Sequence, residues 1–429
     1  TTFSKEKIKE LNSQMAKLAA TPYTPVTLSQ MVSLGSAALG GNKDATLLAT
    51  AQFIRKEVPI RTAKIVRGLR SLPYGLSTAP GVKKIVEHFT TTFALMTSGP
   101  IPTTQEHEQE LYEQMSLVLA AHQHRANFEF PTDEFTTDEK FMLQPFFDRL
   151  HMSRIGNRML ISQYLALHTN QSGYVGHIQL QCRPYDIMNE VAALATDVLR
   201  QECGENVPEL QIVAGKSIHF RYVAAHLQYI FFEIVSNSMK ATVNFARQKN
   251  PGNPTLEGVD LPPIKVVICE GQDDIVIKVS DQGGGFKRGA LEVIWTHLYQ
   301  SGERAVENLE RETTVLSEKG IFCDQGPVFS PVRGREGSGA VSAGLPVCRL
   351  YARYLGGELK VYSMQGYGTD TYIYLDKTGQ IPEQLGGPST VRSSKMGDHN
   401  QRGAYVHTDS NWGHYSYDSE GPPSSWNQP

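Results

Sequence analysis

The chain is poor in the features that most quickly assign a protein to a class. No apolar run approaches the roughly 18 residues that a membrane-spanning helix requires, so no span is read from it. Cysteine is sparse. Cys182, Cys203, Cys269, Cys323 and Cys348 are scattered, odd in number and never spaced Cys-x-x-Cys. That argues against a disulfide framework and a zinc site, and reads as reduced thiols inside a cell. Charge of one sign is also lacking. A net charge of −3 argues against broad nucleic-acid binding. Ala214-Gly215-Lys216-Ser217 has the form of the end of a phosphate loop, but the glycine required five positions before Gly215 is Leu210. The loop reading therefore fails. The first residue is Thr1, which leads us to expect a leader already removed.

The length of 429 residues is enough for two or three domains. With 40% hydrophobic and 20% charged residues, most of the chain can build ordinary cores. Helical patterning is expected over residues 1–17, from Thr27-Leu28-Ser29, and over 46–72, 81–96, 106–126 and 141–167. Pro59 should kink or break the third of these. Four long helices with short polar links suggest an antiparallel bundle up to about residue 170. His122 and His124 form a His-x-His pair without further ligands at metal spacing, and are read as surface or core residues. His151 lacks the acidic neighbour of a phospho-accepting histidine.

Residues 227–242, LQYIFFEIVSNSMKAT, read as an apolar helix bearing Glu233, Asn237 and Lys240 on one face. At about 100° per residue the three lie in a row. The row is either a solvated helix edge or a site for a metal-bound triphosphate. The latter would use an amide oxygen for Mg²⁺, an ammonium for phosphate and a carboxylate for base chemistry. Residues 264–270 and 275–280 read as a hairpin ending at Asp281. Gly283, Gly284 and Gly285 follow it, removing side chains where a flat ligand could approach the backbone. A strand-end carboxylate there could accept a hydrogen bond from an adenine amino group, although a glycine-rich turn alone is common. Gly344-Leu345-Pro346 opens a helix to 355, and Gly366-Tyr367-Gly368-Thr369-Asp370 enters a strand over 371–375. Residues 301–342 are polar and aperiodic, a lid candidate. Residues 378–429 are rich in Gly, Ser, Pro and Asn and are expected to be disordered.

The order of helix, Asp-x-Gly-Gly-Gly hairpin, Gly-Leu-Pro helix and Gly-x-Gly-Thr strand resembles the Bergerat-type ATPase domain of histidine kinases, heat-shock-90 chaperones and mismatch-repair ATPases. Residues 147–160, FDRLHMSRIGNRML, resemble the last bundle helix of the mitochondrial 2-oxo acid dehydrogenase kinases. So do 53–61, FIRKEVPIR, and 345–352, LPVCRLYA. The resemblance covers roughly residues 20–376 and implies an α+β chain. An N-terminal four-helix bundle for regulation and docking (1–175) would precede a Bergerat-type ATP-binding kinase domain (176–377) and the tail (378–429).

That resemblance implies an ATP- and Mg²⁺-dependent protein serine kinase of the mitochondrial matrix. Its substrate would be the decarboxylase subunit of a 2-oxo acid dehydrogenase complex, with the lipoyl domain as docking site and a homodimer as assembly. It implies Glu233 as general base, Asn237 as Mg²⁺ ligand and Lys240 as a phosphate contact in place of the family's Arg. It further implies Asp281 as adenine reader with Gly283 and Gly285 along the base, and Ser301, Gly344, Leu345 and Thr369 as nucleotide contacts.

The chain departs from that pattern at Ser236, where the family has Lys, and at Tyr229, where pyruvate dehydrogenase kinases have His and the branched-chain kinase has Tyr. It also departs at the phosphate cradle. There Ala340 and Ser342 stand for two glycines of Gly-x-Gly-x-Gly-Leu-Pro, with Gly337 and Gly339 just upstream. Pyruvate dehydrogenase is the expected substrate complex, with the branched-chain complex as the alternative. A second alternative is a docking or nucleotide-binding module with little turnover. A two-component histidine kinase is disfavoured by the absence of a phospho-acceptor signature.

Overall fold

A computed structural model describes residues 4–39, 41–123, 136–169, 171–204, 206–287, 290, 294–297 and 344–385. The N-terminal part is helical: α1 (Lys5–Ala20), α2 (Leu28–Leu39), α3 (Lys43–Arg70), α4 (Pro80–Thr97), α5 (Gln105–Gln123) and α6 (Thr137–Ala166). Ser4 caps α1 by accepting from the Lys7 N–H. A capping box of Thr136 and Glu139 starts α6, satisfying donors that a bare helix end would leave open. Helices α3, α4, α5 and α6 form the expected bundle, with α1 packed on α3.

Helix α3 is the axis of this part, since every residue from Glu57 to Val66 is buried. That setting explains Pro59. Of the kink or break expected there, no break occurs, and α3 continues through Pro59. A proline inside a helix costs about 3 kcal/mol. Neighbours packed around this segment offset that loss.

The second part contains β1 (Tyr174–Val175), β2 (Ile178–Cys182), α7 (Pro184–Cys203), β3 (Leu210–Ala214), β4 (Phe220–Tyr222), α8 (Ala224–Lys249), β5 (Ile264–Glu270), β6 (Asp274–Asp281), α9 (Leu345–Tyr354), β7 (Glu358–Met364) and β8 (Gly368–Asp376). Strands β1, β2 and β4 form a small antiparallel sheet. The larger sheet runs β3-β5-β6-β8-β7, with only the β3–β5 pair parallel. Its alternating residues Ile264, Val266, Ile268, Ile275, Ile277, Val279, Leu359, Ile373 and Leu375 are all buried. They form one core with α7, α8 and α9, as period-two patterning requires of a sheet covered on one face. The register pairs Asp281 with Thr369, so β6 and β8 end together where the glycines begin.

Residues 378–385 correct the expectation for the tail, because they are part of the folded structure. Thr27 bridges Pro382, Glu383 N–H donates to Val26 O at 2.9 Å, and Gln384 N–H donates to Tyr354 O at 3.1 Å. Glu383 is buried and pairs with Arg61 of α3. This segment clasps the bundle to α9.

Candidate functional site

Helix α8 places Leu227, Ile230, Phe231, Ile234, Val235, Met239 and Val243 in the core. The same helix carries the polar row. Glu233 is buried at 8% exposure, Asn237 is exposed and Lys240 is half-buried. Glu233 sits at the α8–α9 junction. Its charge, after burial itself, pushes the Tyr229 hydroxyl and the Cys348 thiol well above their usual ranges. Tyr229 packs on Tyr351 of α9 with ring centroids 5.0 Å apart. Gly344 precedes α9 and accepts from the Val347 and Cys348 N–H groups, each at 3.1 Å. The Gly-Leu-Pro start of α9, with Leu345 half-buried, therefore lies one turn from a residue that senses Glu233.

Asp281 ends β6 and is buried at 7% exposure. Its Oδ1 accepts from Gly283 N–H at 2.9 Å and Thr369 N–H at 3.1 Å. Burial raises the Asp281 carboxyl above its ordinary value, against Gly283, Ser238 and Thr369, which lower it; Asp370 adds a smaller upward push. Thr369 is buried beside it, with its hydroxyl 3.3 Å from that of Ser363.

The glycines have a packing role that the sequence does not disclose. A Cβ on Gly283 would lie 2.6 Å from the Ala241 side chain and 2.9 Å from the Thr242 nitrogen, both on α8. A Cβ on Gly285 would lie 2.4 Å from the Met364 carbonyl oxygen. Protein atoms fill the space that glycine leaves open, so the triad allows close packing of the strand end on α8 and on the β7–β8 tip. Two backbone bonds stitch that tip: Gly284 N–H to Tyr367 O at 3.1 Å, and Gly366 N–H to Gly284 O at 2.7 Å.

The fold thus gathers Glu233, Asn237, Lys240, Asp281, Gly283, Gly285, Gly344, Leu345 and Thr369 around α8 and its neighbours. Ser301 and residues 337–343 of the cradle lie outside the described residues, as does His124. His151 is buried, stacked on His297 at 4.8 Å, and held well below its ordinary value by burial. Sequence reading missed Ser238, which carries no signal beyond its place beside Asn237. It also missed His297, whose Nε2 lies 2.9 Å from Asp148 Oδ1 on α6. Among the described residues no group of three or more His, Cys, Asp or Glu converges as a metal site.

A helix row beside a strand-end aspartate, with glycines and a Gly-Leu-Pro helix, defines an ATPase domain of the histidine-kinase class. Residues 222–379 match the family model described as histidine kinase-, DNA gyrase B- and HSP90-like ATPase. Residues 25–179 match the model of the mitochondrial branched-chain alpha-ketoacid dehydrogenase kinase. Full-length similarity extends to a mitochondrial pyruvate dehydrogenase (acetyl-transferring) kinase of Arabidopsis thaliana, 32% identical over 88% of this chain and 97% of that protein. The corresponding Schizosaccharomyces pombe kinase is 36% identical over 57% of this chain and 52% of its own length. Human isozyme 3 is 27% identical over 82% of each. The chain belongs to the mitochondrial 2-oxo acid dehydrogenase kinase family, protein kinases that use ATP on this ATPase fold. Among the described residues no helix is long and apolar enough to cross a membrane.

Proposed function

We propose that the chain phosphorylates, and so inactivates, the decarboxylase subunit of the pyruvate dehydrogenase complex in the mitochondrial matrix. The observation that carries this reading is the α8 row packed against the strand end of Asp281, where Gly283 meets Ala241 and Thr242, in a chain similar along its length to pyruvate dehydrogenase kinases. Glu233 would take the proton from the substrate serine hydroxyl. The serine Oγ–phosphorus bond forms as the β–γ bridging P–O bond of ATP breaks, leaving ADP. General-base help of this kind is worth about 10²–10⁴-fold.

Asn237 fits a role as Mg²⁺ ligand, since its amide is exposed on the face that Glu233 also occupies. Bound there, the ion would neutralise phosphate charge. Lys240 and the backbone at Gly344 and Leu345 would meet the phosphates, with Ser301 as a further nucleotide contact. Asp281, Thr369, Gly283 and Gly285 would hold the adenine.

Residues 1–175 would serve regulation and docking on the lipoyl domain, 176–377 catalysis, and the remainder beyond the clasp a tail. A homodimer is the assembly that the resemblance to the family implies.

A branched-chain substrate is the second reading, favoured by the family model over residues 25–179 and by Tyr229. Phosphorylation of purified pyruvate and branched-chain dehydrogenase complexes, assayed side by side, tests the choice. Faster labelling of the pyruvate complex is expected; faster labelling of the branched-chain complex would reverse it.

A further inference from the structure

We propose that Gln144 of α6 is a positioning residue for phosphoryl transfer: its side-chain amide pins the main chain at Trp295 and His297, and Trp295 in turn sets α9 through Arg349. This rests on the reading of Gly344 and Leu345, at the start of α9, as phosphate contacts, and adds to it the means by which the bundle places them.

Gln144, Asp148 and His151 stand at helical spacing on one stripe of α6. All three meet the stretch 294–297. Gln144 Nε2 donates to the Trp295 carbonyl at 2.8 Å, and its Oε1 accepts from the His297 N–H at 2.9 Å. One amide thus makes both bonds that a peptide group of a neighbouring strand would make, on main chain that lies in no helix or strand. Asp148 Oδ1 accepts from the same Nε2 at 3.1 Å and lies 2.9 Å from His297 Nε2. The buried His297 ring stacks on His151 with centroids 4.8 Å apart.

With its main chain fixed, Trp295 presents its ring to α9. The Arg349 guanidinium lies 4.5 Å from the ring centroid, a favourable place for a cation. Arg349 Nε donates to Glu358 Oε1 of β7 at 2.8 Å. Arg349 stands one turn after Leu345. Held between Trp295 and β7, it ties the first turns of α9 to α6. Reaction rates depend steeply on such placement, since a displacement of about 1 Å can cost about 10²-fold. Without the amide, Trp295 is released and the α9 start loses its register. The adenine contacts proposed at Asp281 and Thr369 stand on β6 and β8, outside this chain of contacts.

The test measures, on the full chain, phosphate transfer from ATP to whichever purified dehydrogenase complex the parent labels faster. Each rate is divided by the ADP-binding stoichiometry from calorimetry, so that unfolded protein does not count. Q144E keeps the size of the side chain, loses its N–H donors and turns a carboxylate toward the Trp295 carbonyl and Asp148. Its rate per site should fall about tenfold, with ADP affinity within about threefold of the parent. W295L should fall alike, and the double variant no further, because both changes act on one contact. Q144M, uncharged and of similar length, should show the same loss and carries the test should Q144E not fold. A parental rate per site in the Gln144 variant, or losses that multiply in the double variant, would overturn the role of Gln144. G344A separates the two readings. An impaired G344A beside a parental Gln144 variant leaves the phosphate contact standing and removes Gln144 alone, whereas a parental G344A removes both. A parent that labels neither complex removes the catalytic reading and the role of Gln144 with it.

Discussion

Arg61 on α3 and Glu383 near the end of the described chain form a buried ion pair, although 322 positions separate them in sequence. Arg61 NH1 donates to Glu383 Oε2 at 3.0 Å, its NH2 donates to Glu383 Oε1, and its Nε donates to Glu57 Oε1 at 2.9 Å. The Tyr354 hydroxyl of α9 donates to Glu383 Oε2 at 2.7 Å. Gly156 of α6 allows the approach, since a Cβ there would meet Leu385 at 2.6 Å and Arg61 at 3.1 Å. Burial works against charge on Arg61, but Glu383 and Glu57 reverse that effect and hold the guanidinium protonated.

Truncation after Lys377 should therefore destabilise the protein. It leaves Arg61 buried with Glu57 as its remaining carboxylate partner. Breaking a buried pair costs about 3–5 kcal/mol. Thermal unfolding at fixed protein concentration should show a melting temperature several degrees lower, whereas truncation after residue 385 should change it little. An unchanged melting temperature on cutting at Lys377 would show that the clasp contributes nothing.

The clasp marks the limit of what the sequence discloses. Its residues sit in a stretch whose Gly, Pro and polar content reads as disordered, and no local pattern announces that Glu383 meets Arg61. Pairing of that kind is a tertiary fact. By contrast α8, the β5–β6 hairpin, α9 and β7 are legible because their apolar residues repeat with helical or strand period over seven residues or more. Strands β1, β3 and β4 span two to five residues and offer too few repeats to detect. Among the candidate site residues, Glu233, Asn237 and Asp281 stand out in the sequence because polar groups at helical or strand-end positions in apolar segments are conspicuous. The packing role of Gly283 does not, since it depends on how closely α8 meets the strand end.

Glu358 ties β7 to α9 through Arg349 at 2.8 Å and Arg353 at 2.8 Å. Burial alone would raise its carboxyl, but the hydrogen bonds from Arg353 and Arg349 bring it below its ordinary value. A carboxyl lowered in the folded state stabilises the fold above its unfolded value, and that contribution is lost as pH falls through the folded value. The E358Q variant should melt below the parent at pH 7, and the gap should close as the pH drops through the acid range. A gap that widens on acidification would contradict the assignment.

Asp281→Ala should weaken ATP binding about tenfold or more, because a hydrogen bond to a charged group is worth about 1.5–3 kcal/mol. The same variant leaves the Thr369 and Gly283 N–H groups without their acceptor, so part of the loss will come from the site itself. Calorimetry with ATP is the measurement, and equal affinity in the variant would remove Asp281 from the adenine site.

Ala340 and Ser342 lie outside the described residues, and the expectation for them rests on the family pattern. Glycine in a phosphate cradle lets backbone N–H groups turn toward oxygen with positive φ, which other residues adopt at a cost of about 1–3 kcal/mol. Replacing both with Gly should raise turnover about tenfold or more and change ADP affinity little. Unchanged turnover in a steady-state phosphorylation assay would mean that Gly337 and Gly339 already supply the cradle.

The central claim is that Glu233 draws the proton from a serine of a 2-oxo acid dehydrogenase. Its most direct measurement is transfer of radiolabelled phosphate from ATP to purified pyruvate dehydrogenase complex by the parent and the E233Q variant, with ADP binding of each followed by calorimetry. The parent should label the decarboxylase subunit; E233Q should lose about 10²-fold or more of that rate while binding ADP as the parent does. Near-parental labelling by E233Q, or no labelling by the parent, would contradict it.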